Sequence, residues 1–237
     1  MPIHFTPRRS LFLSKRSAQA EYFDAPERTA SELESHYEWL NRINRLTHFE
    51  RPFRMWIPQL LGTERCQQLE LLDVGAGEGA LGRCLSHWAQ AQGWAWSFTD
   101  LDLSVHACQQ NPNPKAVVGS ATQLPFPDNQ FDVVIANTMT HHLHSEELVV
   151  SHFQEAARVA RRLVLICDMQ RRLPFLAALG IVLWLRGAPK EFREDGLLSV
   201  RRGWRVQEWR RLAIAAGLPQ SRVWSEHGAR VLLALKK

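Results

Sequence analysis

The sequence predicts an α/β fold: a doubly wound, mostly parallel seven-stranded sheet with an antiparallel C-terminal hairpin and an N-terminal helical cover. Three observations lead there. From residue 69 onward, apolar runs of strand length alternate with amphipathic helical segments, the pattern of repeated βα units. One run, Phe131–Ala136 (FDVVIA), is apolar enough for a strand covered on both faces. A glycine-rich turn joins the first strand to the first helix of the series, and glycine permits the sharp backbone that such a turn needs.

The elements follow in order. Residues 1–30 mix Pro, Arg and Ser and read as an irregular arm. Ser31 followed by Glu34 has the form of a capping box. Leu33, Tyr37, Leu40, Ile43 and Leu46 then recur at helical spacing, which predicts a helix over 31–47, and a second is expected over 50–62. A strand over 69–74, a helix over 80–92, a strand over 94–99, a short helix over 104–110 and a strand over 116–118 come next. The alternation closes with a strand over 131–136, a helix over 146–161 and a strand over 163–167. Beyond it lie an apolar helix over 173–185, a basic loop, a helix over 206–216, and strands over 220–226 and 229–235 that pair through His227-Gly228. The expected organisation is a cover over residues 1–65 and one domain over 66–237, with an insertion at about 171–205. No repeat of about 20–50 residues is visible, which excludes solenoids and propellers.

At 237 residues the chain can bury a core unaided, and 45% hydrophobic content excludes a disordered protein. Its formal charge of +5 is divided unevenly. Residues 1–150 carry 12 basic and 17 acidic side chains, whereas residues 151–237 carry 17 and 7, so an acidic front meets a basic back. Cys66, Cys84, Cys108 and Cys167 are scattered without a C-x-x-C, as expected of reduced thiols in a cytoplasmic protein. The longest apolar run, Leu173–Leu185, is shorter than the ~18 residues of a spanning helix, and Arg171, Arg172 and Arg186 bracket it.

The turn reads Leu71-Leu72-Asp73-Val74-Gly75-Ala76-Gly77-Glu78-Gly79. Glycines there let a ligand approach the backbone, and a helix N-terminus offers N–H donors. The spacing is G-x-G-x-G rather than the G-x-G-x-x-G of dinucleotide sites. The carboxylate of Asp73 would repel a pyrophosphate and attract a cationic, amino-acid-like ligand. Asp102 ends the second strand (FTDLDLS), where a carboxylate can accept both hydroxyls of a ribose; Asp100, two residues earlier, competes for that role.

Four segments in this order, LLDVGAGEGALG, FTDLDLS, VGSATQLPFPDNQFDVVIAN and THHL, resemble the class I S-adenosylmethionine (SAM)-dependent methyltransferases over about residues 69–168. The resemblance implies a Rossmann-like methyltransferase fold and SAM as cofactor. It places Asp73, Gly75, Ala76, Gly77, Asp102, Leu103, Ser120, Ala121 and Asn137 around that cofactor. Where the family commonly has the Asp of G-D-A reaching the adenine amino group, this chain has Ser120, a weaker acceptor. Lys15-Arg16-Ser17, EYFDAPE, Arg42-Ile43-Asn44-Arg45, DGLLSVRRGW and AAGL are similar to small bacterial methyltransferases found beside type III polyketide synthases. That likeness implies a small hydrophobic acceptor, phenolic or polyketide-like.

Methyl transfer to oxygen needs close, dry alignment and a proton acceptor, and histidine suits the second task near neutral pH. His141 and His142 follow the fourth strand at the carboxyl edge, where open α/β sheets bind ligands, so either could be the base or a cofactor contact. No carboxylate or cysteine cluster at ligand spacing joins them, and no metal is expected. Asn137 begins Asn-Thr-Met-Thr rather than an N-P-P-Y segment, which argues against methylation of a flipped base. Asp168 ends the fifth strand and is either a partner for a histidine or an ordinary strand-end acid.

On the acceptor side the helix LPFLAALGIVLWL is apolar nearly all round, which suits core burial, a lid over an apolar pocket or a membrane surface. Arg186, Lys190, Arg193, Arg201, Arg202, Arg205, Arg210 and Arg211 surround Trp204 and Trp209, a composition also found on nucleic-acid surfaces. Glu191, Glu194, Asp195 and Glu208 interrupt the block, which favours an acidic acceptor, an anionic membrane or an acidic carrier domain over RNA. An RNA methyltransferase and a SAM-binding partner protein without turnover are the rival readings.

Overall fold

The computed structural model describes residues 13, 15–24, 28–227 and 229–237. Its strands are β1 (Gln68–Val74), β2 (Ala95–Asp102), β3 (Ala116–Val118), β4 (Phe131–Asn137), β5 (Ala160–Met169), β6 (Arg222–Glu226) and β7 (Arg230–Lys236). They form one sheet in the order β3-β2-β1-β4-β5-β7-β6. The first five run parallel, and β7 lies antiparallel between β5 and β6. The chain order reverses between β1 and β4, so the carboxyl ends of these two strands flank the crevice in which such sheets bind ligands.

The helices are α1 (Ala30–Leu46), α2 (Arg51–Leu61), α3 (Ala80–Ala91), α4 (Val105–Gln110), α5 (Glu146–Val159), α6 (Leu173–Leu185), α7 (Lys190–Arg202) and α8 (Val206–Ala215). Strand alternation assigns the two faces. Val133 and Ile135 of β4 pack with Phe53 and Ile57 of α2 and Leu85 of α3. Val134 and Ala136 point the other way, onto Phe153 of α5 and Trp209 of α8. A third cluster joins Leu183 of α6 and Phe192 of α7 to Trp39, Leu40 and Ile43 of α1. In this three-helix cap α6 and α7 follow β5 in the chain, whereas α1 precedes the sheet.

Four local expectations change. The capping box is Thr29 with Glu32, two residues earlier than Ser31 with Glu34: Glu32 accepts from the Thr29 N–H at 2.8 Å and starts the helix at Ala30. The helix expected over 146–161 stops at Val159, because Ala160 already pairs with Phe131 in the sheet. The basic loop is largely a helix, α7, opened by Pro189 and anchored by buried Phe192, Leu198 and Val200. The apolar helix does not sink into the core: of its residues Leu183 alone is fully buried. Residues 1–12, 14 and 25–27 of the expected arm, and Gly228 of the expected hairpin turn, lie outside the described residues.

Candidate active site

The turn after β1 is bound tightly to β2. Gly75 and Ala76 donate their N–H groups to the Leu101 carbonyl at 2.7 and 3.1 Å, and Gly77 donates to Asp102 Oδ2 at 2.7 Å. These three amides are therefore engaged inside the protein rather than open to a phosphate. Gly75 sits at φ +74°, and a Cβ there would run into the Met139 side chain, so residue 75 has room for nothing but hydrogen. Tyr37 of α1 comes down onto Gly77; burial raises its phenol, and the nearby Asp102 and Glu78 carboxylates raise it further.

The acids around this turn separate by burial. Asp73, near the end of β1, is buried, and its Oδ2 has no hydrogen-bond partner among the described residues. Burial pushes its carboxyl well above the usual range, with Asp100 and Asp102 adding to the effect. Asp100 is buried beneath Gly79, where Asn111 and Asn113 both donate to its Oδ2 at 2.9 Å. Asp102 is only half-buried and accepts one N–H on each oxygen, from Gly77 and from Ser104, leaving lone pairs on both. Beyond it Leu103 and Val118 expose apolar side chains, unusual for isolated surface positions so close together. Ser120 and Ala121 are half-buried in the following loop, with the Ser120 hydroxyl against Thr122 Oγ1 at 2.9 Å. Asn137 closes β4 and is buried.

Past Asn137, a single 3-10 turn (Thr140–His142) carries the two histidines. His141 is 2% exposed and Asp168 wholly buried. Asp168 Oδ1 meets His141 Nδ1 at 2.8 Å, while its Oδ2 accepts the His141 backbone N–H at 2.7 Å. Burial alone would raise the Asp168 carboxyl; His141 and the N–H groups of His141 and Met169 hold it below its ordinary value. The other ring nitrogen of His141, Nε2, lies 3.7 Å from Glu21 Oε1. His142 stacks on His141 at 4.3 Å between centroids, with its Nδ1 3.1 Å from Asp24.

Glu21 and Asp24 belong to the N-terminal arm, which is stapled over this loop. Arg16 donates to the carbonyls of His141, Leu143, His144 and Arg202 and lies over the Trp204 ring. Asp195 of α7 accepts the N–H groups of Tyr22 and Phe23. Arg202 joins the two arm carboxylates, 3.4 Å from Glu21 and 2.8 Å from Asp24. Asp24 stays low against its burial because His142 and Arg202 donate to it; Glu21, more deeply placed, is raised by burial. Glu21, His141 and His142 hold candidate ligand atoms within 4.8 Å of one another, a grouping that could take a metal, although the Arg202 guanidinium already brings a positive charge there.

Beside the arm a cavity of about 400 Å³ opens between Tyr22, Phe23, His36, Trp39 and Phe192. Polar Ser31, Glu32, Ser35 and Glu191 share its walls with these rings. His36 is driven down to about 4, by burial first and by His142 second, so at neutral pH this lining carries no imidazolium at residue 36.

Residues 72–166 match the family described as a methyltransferase domain. That stretch of the chain carries a SAM-dependent methyltransferase domain. The chain's fold is similar to that of the plantazolicin methyltransferase BamL, solved with a triazolic desmethyl-plantazolicin analogue and S-adenosylhomocysteine (TM-score 0.63, 12% identity, 91% of this chain and 92% of that one). It is also similar to the magnesium protoporphyrin IX methyltransferase of Synechocystis, solved with S-adenosylhomocysteine (0.57, 15%, 86% and 94%). A third is a SAM-dependent methyltransferase from Methanococcus maripaludis (0.58, 16%, 84% and 91%). No curated protein is similar enough to count as a relative.

The methyltransferase's own residues fit its cofactor. Asp73 Oδ2 is a buried acceptor with no donor among the described residues, as a cationic ligand group requires, and the half-buried Asp102 keeps lone pairs beside exposed Leu103. The structure brings Asp73, the glycine turn and Asp102 together, and separately His141, His142 and Asp168. Sequence reasoning missed Glu21, Asp24, Arg202 and Tyr37 as members of the site. EYFDAPE was visible as a motif, yet nothing in its spacing tied Glu21 to a histidine 120 positions downstream.

Proposed function

We propose that this methyltransferase O-methylates a small hydrophobic acceptor, phenolic or polyketide-like, with His141 as the base. The observation that carries the reading is the buried Asp168–His141 pair at 2.8 Å, at the carboxyl edge and beside a cavity walled in part by Tyr22, Phe23, Trp39 and Phe192. SAM, when bound, supplies a methyl group on a sulfonium, already activated for in-line displacement. Asp73 would hold its cationic end, Asp102 its ribose, and Leu103, Ser120 and Ala121 its adenine. Gly75, Ala76, Gly77 and Asn137 would form the remaining wall.

Asp168 makes Nδ1 of His141 the donor and leaves Nε2 free to take the acceptor's hydroxyl proton, the division of labour in an aspartate-oriented histidine base. Glu21, 3.7 Å from Nε2, stabilises the imidazolium so formed. Because His141 is almost wholly enclosed, the hydroxyl reaches Nε2 from where Glu21 now stands, so the arm both gates the base and excludes water. His142, held by Asp24, positions His141 by stacking.

A nucleic-acid acceptor is less well supported. Much of the basic block is engaged inside the protein: Arg202 pairs with Glu21 and Asp24 and Arg211 with Glu146, while Arg193 and Arg210 donate to the Ala188 and Val223 carbonyls. Paired guanidinium groups release few counterions on meeting phosphate. The unpaired cysteines suit a reducing, cytoplasmic setting.

Methyl-labelled SAM added with the protein to extract of its native host tests the reading. Label should enter an organic-soluble product and survive mild base, as an aryl ether does. Label in RNA, lost steeply between low and moderate salt, would replace this reading, and SAM binding with no labelled product would leave a binding protein.

A further inference from the structure

Helix α6 leaves an apolar stripe uncovered. Leu173, Ile181, Trp184 and Leu185 are 49%, 59%, 69% and 67% exposed, and Ala177 and Ala178 between them are exposed as well. Spacings of three and four put these side chains on one face along the whole helix. A helix facing water carries polar residues there, so a continuous apolar stripe marks an interaction surface. The opposite face is accounted for: Leu179 and Leu183 pack on Trp39 and Phe192, and those two aromatics also line the 400 Å³ cavity. The stripe is therefore separated from the proposed acceptor cavity by one layer of side chains.

Its ends select the occupant. Arg172 immediately precedes the helix, and exposed Arg186 and Lys190 follow it. At 1.5 Å per residue the thirteen residues span about 20 Å, well short of a hydrocarbon core of about 30 Å. No helix among the described residues is long and apolar enough to cross a membrane. An apolar face, an indole at one end and cations at both ends fit a helix lying flat in the headgroup region. Exposed Arg186 and Lys190 then meet lipid phosphates, which a purely apolar protein surface does not offer.

We propose that α6 docks this protein on an anionic phospholipid surface, with the Leu173–Leu185 stripe against the acyl chains and Arg186 and Lys190 on the headgroups. Its corollary, that the acceptor is an amphiphile drawn from that surface through the cavity beside the arm, rests on the methyl-transfer reading above; the docking does not.

Sedimentation of the full chain with vesicles tests it, using phosphatidylcholine alone and phosphatidylcholine mixed with phosphatidylglycerol. Affinity should be about tenfold or more higher for the mixed vesicles, since each cation near such a surface contributes about 1 kcal/mol, and should fall with salt. The double variant Ile181→Ser/Trp184→Ser, altered only at exposed positions, should lose vesicle binding while keeping SAM affinity and thermal midpoint. Equal or absent binding to both vesicle types overturns the proposal, as does a double variant that still pellets. So does a wild-type dimer that the double variant converts to monomer without any lipid effect, because a second copy then covers the stripe. Vesicle binding with no methylated product would leave the docking standing and remove the acceptor reading alone.

Discussion

Asp168 accepts hydrogen bonds on both oxygens, from the His141 ring and from the N–H groups of His141 and Met169, and so remains ionised without any contact with water. Replacing it with Asn keeps the shape and removes the charge that fixes the imidazole's tautomer. Asp168→Asn should lower kcat about 100-fold or more while SAM affinity, read by calorimetry, changes less than about threefold. A joint loss of kcat and SAM binding would assign Asp168 to architecture alone. His142→Asn should cost less than His141→Asn, since His142 acts through its neighbour. Asp100 and Asp102 are two residues apart and look equivalent in sequence, but two asparagines and a glycine wall in Asp100, whereas Asp102 remains half-open. Alternation along β2 separates them no further, since both point the same way; the chain packed over each one makes the difference.

At the scale of elements, the β1–α3 turn is the most demanding. Gly75→Ala would place a methyl group into Met139 and force a left-handed φ on a residue that disfavours it by about 1–2 kcal/mol. The expected outcome is a folded protein with SAM affinity reduced about tenfold or more, checked by calorimetry alongside circular dichroism; an unchanged Kd would show that the turn relaxes freely. Helix α7 shows why a helix can hide in sequence. Its inward face carries Asp195, Ser199 and Arg202 beside Phe192 and Leu198, because that face binds the arm and the loop that carries His141. Polar residues on the buried side erase the apolar period that sequence reading depends on. Strand β4 is the opposite case: it contacts apolar side chains on both faces, and its run of aliphatics says so directly.

Over the whole molecule, the acidic front and basic back are joined at the site, where Glu21 and Asp24 of the first half meet Arg202 of the second. Folding also encloses neutral histidines. Burial lowers His152 from 6.5 to about 4, and His36 likewise to about 4. The unfolded chain therefore binds protons below about pH 6.5 that the folded chain refuses until about pH 4, so stability falls as pH drops through that window. For fully buried His152 the loss is about 3 kcal/mol at most. Thermal midpoints measured between pH 7 and pH 4 should decline, and His152→Gln should flatten the slope; a slope unchanged by that substitution would place the titration elsewhere.

The sequence by itself determined the sheet, the glycine turn, Asp73, Asp102 and the paired histidines, because each is a local pattern: apolar runs, glycines where φ is positive, acids at strand ends. Tertiary structure alone decided which partners those residues meet. Asp168 faces His141 because β5 lies beside β4, and Glu21 reaches the same imidazole because Arg16 and Asp195 hold the arm across the loop. It also decided that α6, apolar all round, keeps one face outward: α1 and α7 cover only the other. Contacts between distant segments leave no period or spacing in a chain, so an acid in the arm and a histidine 120 residues later come together only when the sheet edge places them side by side.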